Sequence, residues 1–153
     1  MQVVALVSES SRYCPHMLRK SGSDKSESVT DLIGRKWVLT SAARRREELD
    51  LAGCPTAYIT FETTDKVSGF DGCNWFHGPV TLQPGLMEAG NVITTLIACV
   101  GPDGGPLPSN LVLPLKGVYS WTLASGRLTI RCRTASLSFS EDADGLTHST
   151  ASN

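Results

Sequence analysis

Cys73 and His77 stand four positions apart in the stretch SGFDGCNWFHG, residues 68–78. A thiol and an imidazole are the side chains from which a nucleophile or a metal site is most readily built. A nucleophilic thiolate needs an imidazolium close by and an oxyanion hole of aimed amides. A metal site needs further ligands, for which Cys99 is the next candidate. The spacing favours neither chemistry. If residues 73–78 form one strand, the two side chains share a face but lie about 13 Å apart at ~3.3 Å per residue, beyond hydrogen-bond reach. The glycines suggest a different job. Gly69 and Gly72 can take positive φ without a Cβ penalty, as a tight reversal after Lys66-Val67-Ser68 requires. The Asn74 side chain can bond nearby amides and hold such a turn. The stretch is therefore read as a β-turn between two strands, with no catalytic residue and no metal ligand assigned.

The remaining cysteines and histidines supply no second motif. Cys14, Cys54, Cys73, Cys99 and Cys132 contain no CxxC pair, which zinc ribbons and thioredoxin-like sites need on one short turn. Cys132 is expected in the core, Cys54 in a loop and Cys14 free in an N-terminal tail. His16 and His148 fall in the two expected tails. The loop GPDGGPLP lacks the GK[ST] of a phosphate cradle. No reaction can be read from this chain.

The elements that must position the 68–78 stretch are strands. Lys36–Thr40 and Ala57–Glu62 are rich in β-branched and aromatic residues, and the second sets Thr60 and Glu62 on the face opposite Ile59 and Phe61. A further run covers Val92–Cys99. The plainest hairpin is YSWTLASGRLTIRC, in which Tyr119, Trp121 and Leu123 alternate with small polar residues, Ser125-Gly126 turns the chain, and Leu128, Ile130 and Cys132 resume the alternation. Leu137–Phe139 forms a last strand. One apolar and one wet face per strand is the pattern of an antiparallel sheet curved around a single core. Helical signal is confined to Ser109–Leu113, stopped by Pro114. The Ser-rich stretch up to residue 29 and the final THSTASN read as mobile tails, giving an N-terminal tail 1–29, a domain 30–141 and a C-terminal tail 142–153.

The 153 residues are 41% hydrophobic and 19% charged, with a formal net charge of −1, as in one ordinary globular domain. Near-neutral charge argues against nucleic acid or an anionic membrane as partner, because phosphate binding draws on a basic face. Arg44-Arg45-Arg46 is offset at once by Glu47, Glu48 and Asp50 and reads as a solvated loop or helix turn. No stretch approaches the ~18 apolar residues of a spanning helix. The N-terminus lacks both the charged and the apolar region of a signal peptide, so the chain as written reads as cytoplasmic, or else as parted from its secretion signal.

Three groups of residues carry a family resemblance. They are Leu32-Ile33-Gly34 with Trp37; Val67 to Asn74 with Phe76 and Gly78; and Thr95-Leu96-Ile97-Ala98-Cys99, followed by Tyr119 and the closing L-x-I and L-x-F strands. In this order they resemble the META domain, the HslJ-like family of small bacterial proteins, over about residues 31 to 140. The most specific piece is G-x-x-G-C-N, from Gly69 to Asn74. The resemblance implies a mainly β fold with a short helix, an open or cracked antiparallel β-barrel. It also implies a place in the bacterial cell envelope and a link with stress responses, with no family-wide catalytic residues or cofactor. Trp75 replaces the usual basic residue after Cys-Asn, and Pro79-Val80 replaces the usual x-Tyr.

Cys73 and Cys99 occupy the two cysteine positions of the resemblance and are disulfide candidates. A bond there would close a loop of about 25 residues and stabilise the fold by roughly 3 kcal/mol. In a reducing compartment they would be buried thiols. Trp37 and Trp121 are expected in the core. Trp75 and Phe76 alternate, so if Phe76 faces inward, Trp75 with His77 forms an exposed partner-contact patch. The functional expectation is a non-enzymatic interaction or structural module, monomeric, without cofactor, whose partner is a protein or a small apolar ligand. The alternative is a carrier holding an apolar molecule in the barrel, which would need a cavity of about 300 Å³ or more. A third reading is a thiol enzyme using Cys73.

Overall fold

A computed structural model describes residues 13–14, 28–53, 55–95 and 116–142. The strands are β1 (Tyr13–Cys14), β2 (Lys36–Arg44), β3 (Glu47–Glu48), β4 (Tyr58–Thr63), β5 (Lys66–Phe70), β6 (Trp75–Gln83), β7 (Leu86–Ala89), β8 (Ile93–Thr94), β9 (Lys116–Ala124), β10 (Arg127–Arg131) and β11 (Ala135–Glu141). The path β9-β10-β11-β2-β4-β5-β6-β7 closes on itself because β7 also pairs with β9. The result is a closed antiparallel barrel of those eight strands, so the expected barrel is present and its seam is joined. The seam runs antiparallel from Leu86 opposite Ser120 to Ala89 opposite Gly117. Closure removes the unpaired strand edges that an open sheet would expose.

A barrel of this strand number has an interior just wide enough for side chains to fill. Trp37, Phe61, Trp121 and Phe139 are buried there with Ile59, Met87, Leu128 and Ile130 in one cluster. The parity along β2 shows how the curvature is made. Trp37 and Leu39 point inward, and then Ala42 does, because the register with β11 slips between Ser138 and Phe139. The extra residue bends the strand, as β-bulges do, and the Thr40 hydroxyl donates to the Ser138 carbonyl at 3.0 Å. Each buried indole has an outlet for its N–H. Trp37 Nε1 donates to the Leu32 carbonyl at 3.2 Å, and Trp121 Nε1 to those of Gln83 and Leu86 at 2.9 and 3.1 Å.

The hairpin read from alternation has its expected register, with Ala124 opposite Arg127 and Ser120 opposite Arg131. Ser125 and Gly126 turn it at φ 51° and 73°, the doubly positive geometry of a type I′ turn. Arg45 and Arg46 have φ 50° and 70° between β2 and β3. Arg45 and Arg46 thus form a solvated turn of the same kind, not a helix turn, and Arg44 ends β2. Tyr13–Cys14, inside the expected tail, pairs in parallel with Lys116–Gly117. Val29–Asp31 forms a 3-10 turn where order was expected to begin. The expected short helix at 109–113, and residues 96–99 of the expected Val92–Cys99 strand, lie outside the described residues. Among the described residues no helix is long and apolar enough to cross a membrane.

Tyr119 lies inside the barrel wall on β9, opposite Met87. Burial pushes its hydroxyl up to about 12 from an ordinary value of 10.0. From about pH 10 to 12 the unfolded chain releases this proton while the folded chain keeps it, so the contribution is whole below pH 10 and drains away as pH approaches 12. At about 1.36 kcal/mol per unit the loss reaches about 3 kcal/mol. Urea unfolding of the wild type should therefore show a midpoint falling steeply over that range. Tyr119→Phe should flatten this alkaline limb, and an unchanged limb in the variant would assign the loss to other groups.

Candidate functional site

The signature stretch is built on its one acidic residue, Asp71. Asp71 Oδ1 accepts from the backbone amides of Cys73 and Asn74 at 2.9 and 2.6 Å, and the Asp71 amide donates to the Asn74 carbonyl at 2.9 Å. The reversal therefore spans 71–74, held by Asp71 rather than by Asn74. Gly72 takes φ +98° in it. Gly69 differs from expectation. It lies within β5, directly opposite Phe76, at a φ outside the left-handed region. A Cβ there would run into the Tyr58 carbonyl and the Phe76 ring. Gly69 serves close approach, giving an aromatic from the next strand room to lie over the sheet, and Phe76 is 2% exposed as a result. Gly78 acts similarly for the chain beside it, since a Cβ would meet Val92 Cα at 2.8 Å.

The Asn74 side chain joins the two signature pieces. Buried to 8% exposure, it accepts through Oδ1 from the Thr95 hydroxyl at 3.0 Å, and that hydroxyl accepts from the Trp75 amide at 3.0 Å. The Thr95 amide returns to the Trp75 carbonyl at 2.9 Å. Asn74 Nδ2 also donates to Cys73 Sγ at 3.3 Å. Neither Cys73 nor Cys132 is free, each having a further partner. Cys99 lies outside the described residues.

The structure does not unite Cys73 with His77. His77 is exposed on β6 opposite Ser68 and lines a shallow groove of about 430 Å³ with Tyr58, Glu62, Lys66, Ser68 and Trp75, over a floor of Gly69 and Phe76. Cys73 sits in the turn and is not part of this lining. The groove lies on the outside of the barrel. Inside, the described core is occupied by the side chains named above.

The outer face over β4, β5 and β6 is an aromatic ladder. Val38, Tyr58, Phe70 and Trp75 lie side by side on successive strands. Trp75 stands edge-on to Tyr58, centroids 6.1 Å apart at 76°, and tilted to Phe70 at 5.0 Å and 48°. It remains 55% exposed, and Ile93, opposite His77, is 64% exposed. Lys36 Nζ lies 4.5 Å from the Tyr58 ring centroid. On the next rung Thr60, Ser68, His77 and Ile93 are aligned. Lys66 Nζ contacts Glu62 at 2.9 Å. Lys66, and then the Ser68 hydroxyl, hold the Glu62 carboxyl below its usual range, while Glu62 holds the Lys66 ammonium above its own.

Trp75 and His77 were legible as a patch from alternation. Tyr58, Glu62, Lys66 and Phe70 were not assigned to it. A large aromatic at 58, in phase with Thr60 and Glu62 on the wet face, was the available signal.

The META domain model matches residues 30–144. A protein from Burkholderia xenovorans, solved by NMR, superposes with a TM-score of 0.53 at 17% identity, over 84% of this chain and 97% of that one. A second protein solved by NMR gives 0.52 at 20% identity, over 74% of this chain and 93% of the other. At these identities the likeness is one of fold. No curated protein matches the chain. The glycine, Asn74 and Thr95 contacts give the signature residues their structural roles, and with the family match spanning the whole barrel, the chain belongs to the META domain family.

Proposed function

We propose that this protein is a non-enzymatic interaction or structural module of the bacterial cell envelope or its stress response, and that it contacts its partner through the outer aromatic ladder. The observation that carries the reading is Trp75, 55% exposed yet braced by Tyr58 and Phe70. An aromatic left half in water and held in one orientation is costly to leave uncovered and ready to bind. The signature residues support a non-enzymatic role, because Gly69, Gly72, Asn74 and Thr95 are engaged in packing and turn bonds. A Cys73–Cys99 disulfide formed on export belongs to the same reading.

The test is photocross-linking in cells from a photoreactive phenylalanine at position 75, with the same group at Ser125 as control. A discrete adduct in the envelope fraction from position 75 alone is expected, together with a Cys73–Cys99 peptide in a non-reducing map. Equal labelling from both positions would overturn the contact site. Turnover that vanishes in Cys73→Ala with the fold intact would overturn the non-enzymatic reading.

A further inference from the structure

The geometry points to a neutral saccharide as the occupant of the outer groove, its ring lying on Trp75 and its hydroxyls meeting Glu62, Lys66, Ser68 and His77. This rests on the reading of the ladder as the contact face and names the chemistry of what it contacts.

Four observations lead there. The groove, about 430 Å³ and open along the outside of β4, β5 and β6, falls within the size of small-ligand sites. Its shallow shape suits a segment of chain passing across it. Trp75 offers a large exposed surface whose orientation Tyr58 and Phe70 already fix. The negative face of an aromatic ring attracts the positively polarised C–H groups on one side of a sugar ring, as it attracts the edge of another aromatic. Beside this platform stand both kinds of hydrogen-bonding group: the Lys66 ammonium as donor, the Glu62 carboxylate as acceptor, and the Ser68 hydroxyl and His77 imidazole as either. A sugar hydroxyl both donates and accepts, so a mixed rim matches it.

Charge decides between this occupant and the others. Glu62 and Lys66 neutralise one another at 2.9 Å, so an anionic lipid or nucleic acid finds no surplus positive charge in the groove. A cationic ligand finds no surplus negative charge there either, and the face of Tyr58 that could attract it is already taken by Lys36. An apolar peptide side chain would cover the Glu62, Lys66, Ser68 and His77 groups without bonding them, which is unfavourable. An uncharged polyhydroxyl ligand with one apolar face avoids all three penalties.

The experiment titrates the full chain, isotope-labelled for NMR, with cellohexaose, chitohexaose, maltohexaose and mannohexaose, and with hexagalacturonate as the acidic comparator. Tryptophan fluorescence runs in parallel, and because Trp37 and Trp121 are buried a change reports Trp75. Saturable shifts confined to the groove with at least one neutral hexaose are expected. Trp75→Ala should weaken that binding by at least about tenfold, Trp75→Phe should recover part of it, and Glu62→Gln should weaken it while the unfolding midpoint stays put. Absence of saturable binding by every neutral hexaose overturns the assignment, as does binding only of the acidic comparator or binding indifferent to Trp75→Ala. A discrete protein adduct from position 75 without saccharide binding overturns this inference alone. Loss of the position-75 adduct as well overturns the contact face on which it rests.

Discussion

Trp121→Ala is expected to destabilise the protein by about 3–5 kcal/mol, the range for removing a buried aromatic and leaving its cavity. Trp121 is 2% exposed and sits where the barrel closes. Its backbone amide donates to the Gly85 carbonyl at 3.1 Å, and its indole N–H reaches the carbonyls of Gln83 and Leu86. One residue of β9 thus grips three carbonyls of the turn between β6 and β7. The two parts of the loss can be separated with Trp121→Phe, which keeps much of the ring but has no N–H. Gln83 and Leu86 are exposed and half-buried, so water can reach their carbonyls, and the hydrogen-bond part should be about 1 kcal/mol. Urea unfolding with a common slope should place Trp121→Phe near the wild type and Trp121→Ala far below it. Two variants equally destabilised would mean that the turn bonds, rather than the packing, hold the seam.

What the sequence made legible depended on whether the physics was local. The hairpin from Tyr119 to Cys132 could be read because side-chain alternation is set by the pleat, and Ser125-Gly126 carries its turn chemistry in its residue types. The burial of Trp121 followed from the same alternation. Arg45 and Arg46 adopt the same turn geometry with no glycine or asparagine to announce it, so the chain reversal there was not seen as a hairpin. At β2 the inward parity switches after Leu39, and a bulge leaves no mark in composition. The outer groove was only half visible. Trp75 and His77 belong to one strand, whereas Tyr58, Glu62, Lys66 and Phe70 join them through a register that three strands decide together. The role of Asn74 was misjudged for the same reason: its partner, Thr95, lies 21 residues away, and the local bonding it was expected to make is made by Asp71.

Gly69→Ala should cost about 3 kcal/mol, the upper part of the range for overpacking, although it adds one methyl group to a strand where alanine has no conformational disadvantage. The new Cβ has two obstacles of different kinds. The Phe76 ring is a side chain that can swing aside, but only by leaving the core, where it is 2% exposed. The Tyr58 carbonyl is backbone, so relieving that contact means pushing β4 away from β5 where Ile59 pairs with Gly69. A double-mutant cycle with Phe76→Leu separates them. If the ring is the main obstacle, Gly69→Ala should be far milder in the Phe76→Leu background than in the wild type. If the carbonyl dominates, the two losses should add. Either result fixes why glycine stands first in G-x-x-G-C-N. A Gly69→Ala protein as stable as wild type would remove close packing as the reason and leave the first signature glycine without a structural role. Tyr58 and Trp75 flank this point on the outer face, so a displaced β4 would also disturb the aromatic ladder. Gly69→Ala should therefore weaken whatever the groove binds even at temperatures where the barrel remains folded. That loss of binding, measured beside the unfolding midpoint, ties the buried signature glycine to the exposed contact face.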